Sequence, residues 1–199
     1  MTELKKKRIK SVLKYTWPIY IVASLIIGFG LNFIFGITHR IPAYKTLTLF
    51  VSGEVGDHKA LEDDLLEKYK DNELKSISCI NANPQDSNYN AKLTIPGYNT
   101  ADILVIPTSK LDSVVVSAFS LELSDKLINE YYANCHFYEQ ENVKYGVEID
   151  REKVSKYFTL PNETCYLLLN ASSKNIGEYS TDAVKEHNNA LRLVQEWGK

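Results

Sequence analysis

The sequence predicts an α/β fold, a three-layer sandwich with a largely parallel sheet, preceded by one N-terminal transmembrane helix. Three observations predict it. A long uncharged apolar run lies near the N-terminus, short apolar runs without polar alternation recur further on, and amphipathic helical segments separate strand-like ones. They divide the chain into a basic tail (1–14), a membrane helix (15–38), a linker (39–45) and an α/β domain (46–199). With 199 residues in all, there is room for one globular domain beside the membrane segment.

Residues 15–37 read YTWPIYIVASLIIGFGLNFIFGI, twenty-three residues without a charge. At about 1.5 Å per residue a helix of that length crosses the roughly 30 Å hydrocarbon core of a bilayer. Tyr15, Trp17 and Tyr20 suit the headgroup layer, and Pro18 stands close enough to the expected helix start to be tolerated. Ser24 and Gly28 have small-xxx-small spacing, but Gly is common in membrane helices; Asn32 near the outer end is expected to meet interfacial water. A cleaved signal peptide is the rival reading. The run is longer than the usual core of about 7–15 residues, and GITHRIPAYK after it offers no clear small-x-small cleavage site.

Charge gives the orientation. Residues 1–14 carry Lys5, Lys6, Lys7, Arg8, Lys10 and Lys14 against Glu3, a net of +5. Residues 41–199 carry sixteen Lys/Arg against twenty-four Asp/Glu, a net of −8. A basic flank stays in the cytoplasm, so the expected arrangement is a single-pass protein of the cell membrane with its C-terminal domain outside. The lipid bilayer is then a partner through residues 15–38, and an acidic domain excludes nucleic acid as another.

Within the domain, Thr46–Ser52 (TLTLFVS) is rich in β-branched and apolar residues and reads as a strand stopped by Gly53. Asp57 can cap the next helix, where Leu61, Leu65 and Tyr69 recur at four-residue steps. A second strand is expected at 74–80, followed by a loop in the turn-rich NANPQDSNYN. Ile103–Pro107 (ILVIP) has no polar alternation, as in a strand covered on both faces. Ser109-x-x-Asp112 has capping-box spacing and predicts a helix through Val114, Val115 and Ala118. FYEQENVKYGVEI reads as a hairpin around Glu141-Asn142, and residues 165–170 (CYLLLN) as another buried strand. From about Asp182, Ala183, Val184, His187, Ala190, Leu191, Val194 and Trp197 make one face of a closing helix.

Three segments resemble the first lobe of bacterial extracellular solute-binding proteins, the receptors that feed ABC importers. They are TLTLFVSGE with the helix KALEDDLLEKY, TADILVIPTSKLDSVVVSAFSLELSD, and YLLLNASSKN leading to the last helix. The resemblance implies a membrane-anchored binding domain that presents or senses a small solute or peptide beside a membrane transporter. The chain departs from the family in having room for one lobe and a helical anchor. The alternative is a non-catalytic scaffold subunit of a membrane complex that shows an apolar patch where the missing lobe docked. Open α/β sheets bind ligands at the carboxyl ends of their strands, which makes Ser52, Gly53, Glu54, Thr108 and Ser109 the ligand-binding candidates.

Catalysis, metals and cofactors are not expected. The histidines at 39, 58, 136 and 187 have no zinc-ligand spacing, no nucleotide-binding glycine motif occurs, and no acid–base pair stands at useful spacing. Cys79, Cys135 and Cys165 are an odd set: either Cys135–Cys165 pairs or all three thiols are free. Asn162-Glu-Thr and Asn170-Ala-Ser match the glycosylation pattern, which matters only in a eukaryotic secretory pathway.

Overall fold

A computed structural model of the chain describes residues 3–38, 41–180 and 187–199. Two compact units result, Met1–Arg40 and Ile41–Lys199.

The first unit is one helix, α1 (Glu3–Thr38). Within it Lys14–Gly36 is long and apolar enough to cross a membrane, with a mean hydropathy of 2.1 and no burial against protein. The helix begins at Glu3, well before the apolar run, so Pro18 lies in its interior and not near its start. Proline there removes one backbone donor, a loss that a membrane helix tolerates when hydroxyls or neighbours re-satisfy the ladder. The carbonyl that loses its donor at Pro18 is that of Lys14; two residues before the proline, the Thr16 hydroxyl donates to the Val12 carbonyl at 2.6 Å.

The second unit is an α/β sandwich. Its strands are β1 (Thr46–Ser52), β2 (Glu54–Val55), β3 (Ser76–Ala82), β4 (Ile103–Pro107), β5 (Phe137–Gln140), β6 (Val143–Glu148), β7 (Phe158–Thr159) and β8 (Cys165–Leu169). Its helices are α2 (His58–Lys68), α3 (Tyr89–Lys92), α4 (Tyr98–Thr100), α5 (Thr108–Leu111), α6 (Asp125–Tyr131), α7 (Arg151–Val154) and α8 (Asn189–Trp197). Six strands form one sheet in the order β3-β1-β4-β8-β6-β5, and β2 pairs with β7 apart from it. β1 lies parallel to both β3 and β4, whereas β8, β6 and β5 add antiparallel pairings. The sheet is therefore mixed, with β3, β1, β4 and β6 running in one direction.

Both faces of the sheet are covered, which explains the unbroken apolar runs. On one face Leu47, Leu49, Val51, Ile103, Val105 and Leu167 pack with Leu61 and Leu65 of α2, Leu127 of α6 and Val194 and Trp197 of α8. On the other, Phe50, Leu104, Ile106 and Leu168 pack with Tyr89 of α3, Leu93, Leu111 of α5 and Val116. Each fully buried aliphatic chain contributes about 1.5–3 kcal/mol against the entropy of ordering the chain.

Local signals explain most boundaries. Asp57 caps α2 by accepting from the N–H groups of Lys59 and Ala60. The β5–β6 hairpin turns on Glu141 and Asn142, both at positive φ (54° and 65°), as a two-residue primed turn requires. The second strand sits slightly later than the sequence indicates, at Ser76–Ala82.

Two expectations are corrected. The helix after β4 is a single turn, Thr108–Leu111, followed by a separate 3-10 turn at Val116–Ala118. Its N-cap, Pro107, makes no side-chain bond, so the capping box does not form. The closing helix starts at Asn189; His187 precedes it and stacks on Tyr44 with ring centroids 4.4 Å apart, while Ala183 and Val184 lie outside the described residues.

Candidate functional site

The chain leaves β1 for α2 on one face of the sheet and leaves β4 for α5 on the other. The carboxyl ends of β1 and β4 therefore flank a topological switch point, where diverging connections open a crevice in an open α/β sheet. A cleft of about 630 Å³ beside Glu148 and Arg151 and a second one at this switch point share Glu163. The cleft at the switch point, about 490 Å³, is lined by Gly53 and Glu54 after β1, Asn83, Pro84 and Gln85 after β3, and Ser109 and Lys110 after β4. Thr159, Leu160, Pro161 and Glu163, from the segment before β8, close its remaining side.

That segment is strapped on from two directions. β7 pairs with β2, placing Thr159 opposite Glu54. Gly53 permits this approach, since a Cβ there would lie 2.5 Å from the Thr159 carbonyl oxygen. Further along, the Glu163 carboxylate accepts from the Ser109 N–H at 3.0 Å and the Ser109 hydroxyl at 2.8 Å. The Arg151 guanidinium donates to the carbonyls of Pro161 and Glu163.

Gly53, Glu54 and Ser109 thus line the cleft as the strand-end rule implies, whereas Ser52 and Thr108 do not. Ser52 is fully buried, and its hydroxyl shares a hydrogen bond of 2.7 Å with the Tyr89 hydroxyl. Thr108 donates both its N–H and its hydroxyl to the Thr164 carbonyl. Ser52 is linked to the cleft at one remove. The Lys110 ammonium rests 5.1 Å from the centroid of the Tyr89 ring, so Ser52 anchors the ring over which Lys110 is held. Burial pushes the Tyr89 phenol up to about 12, with the Ser52 bond opposing, so it stays neutral.

Asn83, Gln85, Lys110 and Glu163 are among the eight lining residues that sequence reasoning missed, with Pro84, Thr159, Leu160 and Pro161. Applying the strand-end rule to β3 as well would have found Asn83 and Gln85. Lys110 directly follows the candidates Thr108 and Ser109, while Glu163 carried no signal beyond its place in the Asn162-Glu-Thr pattern.

The amino end of the sheet is organised differently. Asp102, next to β4 and largely buried, accepts from the Thr48 N–H at 2.7 Å, from the Ser173 hydroxyl and from the Asn175 side-chain amide at 3.2 Å. Asn175 also donates to the Thr46 carbonyl, and the buried Asn170 amide donates to the carbonyls of Tyr98 and Ala101. Burial raises the Asp102 pKa above the usual carboxylate range, with these donors opposing the shift. A depression of about 330 Å³ lies over this network, among Thr46, Thr48, Asp102, Ser172, Ser173 and Lys174.

The cysteines form no pair: Cys79, Cys135 and Cys165 are free thiols. Burial pushes the Cys79 thiol up to about 12 and Cys165 up to about 11, and raises Cys135 too, so none is poised as a thiolate. His136 directs Nδ1 to Glu148 at 3.1 Å. Asn170 is buried and bonded, which removes it as a glycan acceptor, while Asn162 is exposed. Among the described residues no group of three or more His, Cys, Asp or Glu is placed to hold a metal ion.

No family model, no curated protein and no solved structure matches the chain.

Proposed function

We propose that the chain is a membrane-anchored, non-catalytic binding protein whose Ile41–Lys199 domain takes a small polar solute in the cleft at the carboxyl ends of β1, β3 and β4. The N-terminus lies in the cytoplasm, α1 crosses the membrane, and the domain stands outside beside a transporter, in the manner of one lobe of a solute-binding protein. The observation that carries the reading is the cleft: it is concave, lined by polar side chains and placed at the switch point of the sheet. The orientation rests on the +5 tail before the apolar run and the acidic domain after it. The transporter rests on the three-segment resemblance alone.

A scaffold would need an apolar docking face. Outside α1, the large hydrophobic side chains exposed among the described residues are Ile41, Ile95 and Val115, a sparse set for such a face.

The test is a thermal-shift screen of the full chain in detergent micelles against sugars, polyols, amino acids, short peptides and inorganic anions. A saturable rise in Tm with at least one class, lost on mutating the cleft, is the expected result. No shift across the panel would remove the binding reading. Protease accessibility of the domain from outside intact cells tests the orientation.

A further inference from the structure

The polar groups of the cleft divide into those already committed and those left open. Ser109 and Glu163 satisfy one another, Ser52 is spent on Tyr89, and Thr108 on the Thr164 carbonyl. The Glu54 carboxylate and the Gln85 side-chain amide have no hydrogen bond or ion pair among the described residues. The Lys110 ammonium meets the face of Tyr89 and, among the described residues, forms no ion pair with a carboxylate. One cleft thus presents an uncommitted negative charge from the β1 side and an uncommitted positive charge from the β4 side. Some exposed opposite charges elsewhere on the domain are paired, as in Lys126–Glu178, Lys156–Asp64 and Lys68–Glu196, and others, such as Lys59, Asp63 and Glu67, are not paired among the described residues. What sets Glu54 and Lys110 apart is that they line one cleft.

Ligand classes can be compared against this lining. A simple anion would meet Lys110 together with the carboxylates of Glu54 and Glu163, and a simple cation would meet Lys110. A sugar ring ordinarily gains from an aromatic platform, and no aromatic side chain lines the cleft. A molecule carrying an ammonium and a carboxylate satisfies both open charges at once. The cleft's volume of about 490 Å³ has room for a free amino acid or a peptide of two or three residues.

We infer that the cleft ligand is a small zwitterion, an amino acid or very short peptide with free termini, whose ammonium is received by Glu54 and whose carboxylate is received by Lys110. Lys110 is held for that task by the Tyr89 ring, and Tyr89 by Ser52. This inference rests on the binding reading above and narrows it to one ligand class.

The experiment is isothermal titration of the full chain in detergent micelles with the twenty common amino acids, dialanine and trialanine. Each ligand that binds is then compared with its N-acetylated and C-amidated forms. A saturable zwitterion that loses at least tenfold in affinity when either end is blocked is the expected result; which of the single amino acids or the peptides binds tells the two sources apart. Lys110→Met should bind the acid and its amide alike, and Glu54→Gln should bind the amine and its acetylated form alike, both with wild-type melting curves. A neutral or singly charged solute that binds this cleft as well as any zwitterion, or blocking that changes nothing, would overturn the zwitterion while leaving the binding reading in place. Silence from every zwitterion and from the wider solute panel would overturn both.

Discussion

The two ends of the central sheet are both polar, yet they are built to opposite ends. At the amino end, Asp102 is surrounded by donors from Thr48, Ser173 and Asn175, and Asn170 is committed to Tyr98 and Ala101. At the carboxyl end, Glu54, Gln85 and Lys110 stand around a cleft with their charges and amide unclaimed. A closed polar network fixes how strands and loops fit together; an open one leaves free energy to be gained from a solute. Substitutions of the open groups Glu54, Gln85 and Lys110 should therefore affect binding, and those in the closed network folding.

The largest effect is expected at Asp102. Asp102→Ala takes their acceptor from the Thr48 N–H and the Ser173 hydroxyl and leaves the Asn175 amide only the Thr46 carbonyl, at a cost of about 3 kcal/mol in a denaturant melt. Ligand affinity per folded molecule should be unchanged. A comparable loss from Glu54→Ala would erase the distinction between the two ends.

Next is Ser52→Ala, which strands the buried Tyr89 hydroxyl and costs about 1–2 kcal/mol. Because Tyr89 carries Lys110, affinity should also weaken, though less than in Lys110→Met. Calorimetry on the two variants side by side measures the ranking.

Acid titration sharpens the contrast. The folded Asp102 pKa lies above its unfolded value because of burial, so the folded state binds the proton more readily. The Asp102 contribution to stability is then greatest below the unfolded carboxylate pKa of about 3.9 and falls as pH rises through the folded value. The stability gap between wild type and Asp102→Asn should accordingly widen on acidification.

The smallest effect belongs to the surface. Lys156 and the Tyr157 hydroxyl hold the exposed Asp64 pKa down, so whatever that contact adds is present above the ordinary carboxylate pKa and lost as pH falls through the lowered value. Asp64→Asn should move Tm only slightly, and less still in high salt.

Much of this architecture is legible in the sequence. β1, β4 and β8 are visible because strands covered on both faces read as unbroken apolar runs, and α2 because Asp57 and the Leu61/Leu65 spacing mark its start and its buried face. The helix after β4 is misleading for a physical reason. Ser109 has capping-box spacing, but its hydroxyl is drawn to Glu163, and the valines that follow are β-branched and weak helix formers. Pro18 misleads in the opposite sense, since α1 continues through it.

The site is legible in part. Gly53, Glu54 and Ser109 follow from the strand ends, but Glu163 reaches Ser109 from 54 residues away, and nothing local in the sequence announces that meeting. Likewise, nothing local separates Ser52, turned inward to Tyr89, from Glu54, turned out to the cleft. Pleating alone would put residues two apart on one face; the break at Gly53, after which β2 leaves the sheet to pair with β7, decides it.

Hydrogen–deuterium exchange on the full chain, with and without the solute found by screening, tests the central claim most directly. Slowed exchange at residues 53–54, 83–85, 109–110 and 159–163, with none at 99–102 and 170–175, is the predicted result. Protection over the Asp102 network with the carboxyl-end segments unchanged would contradict it.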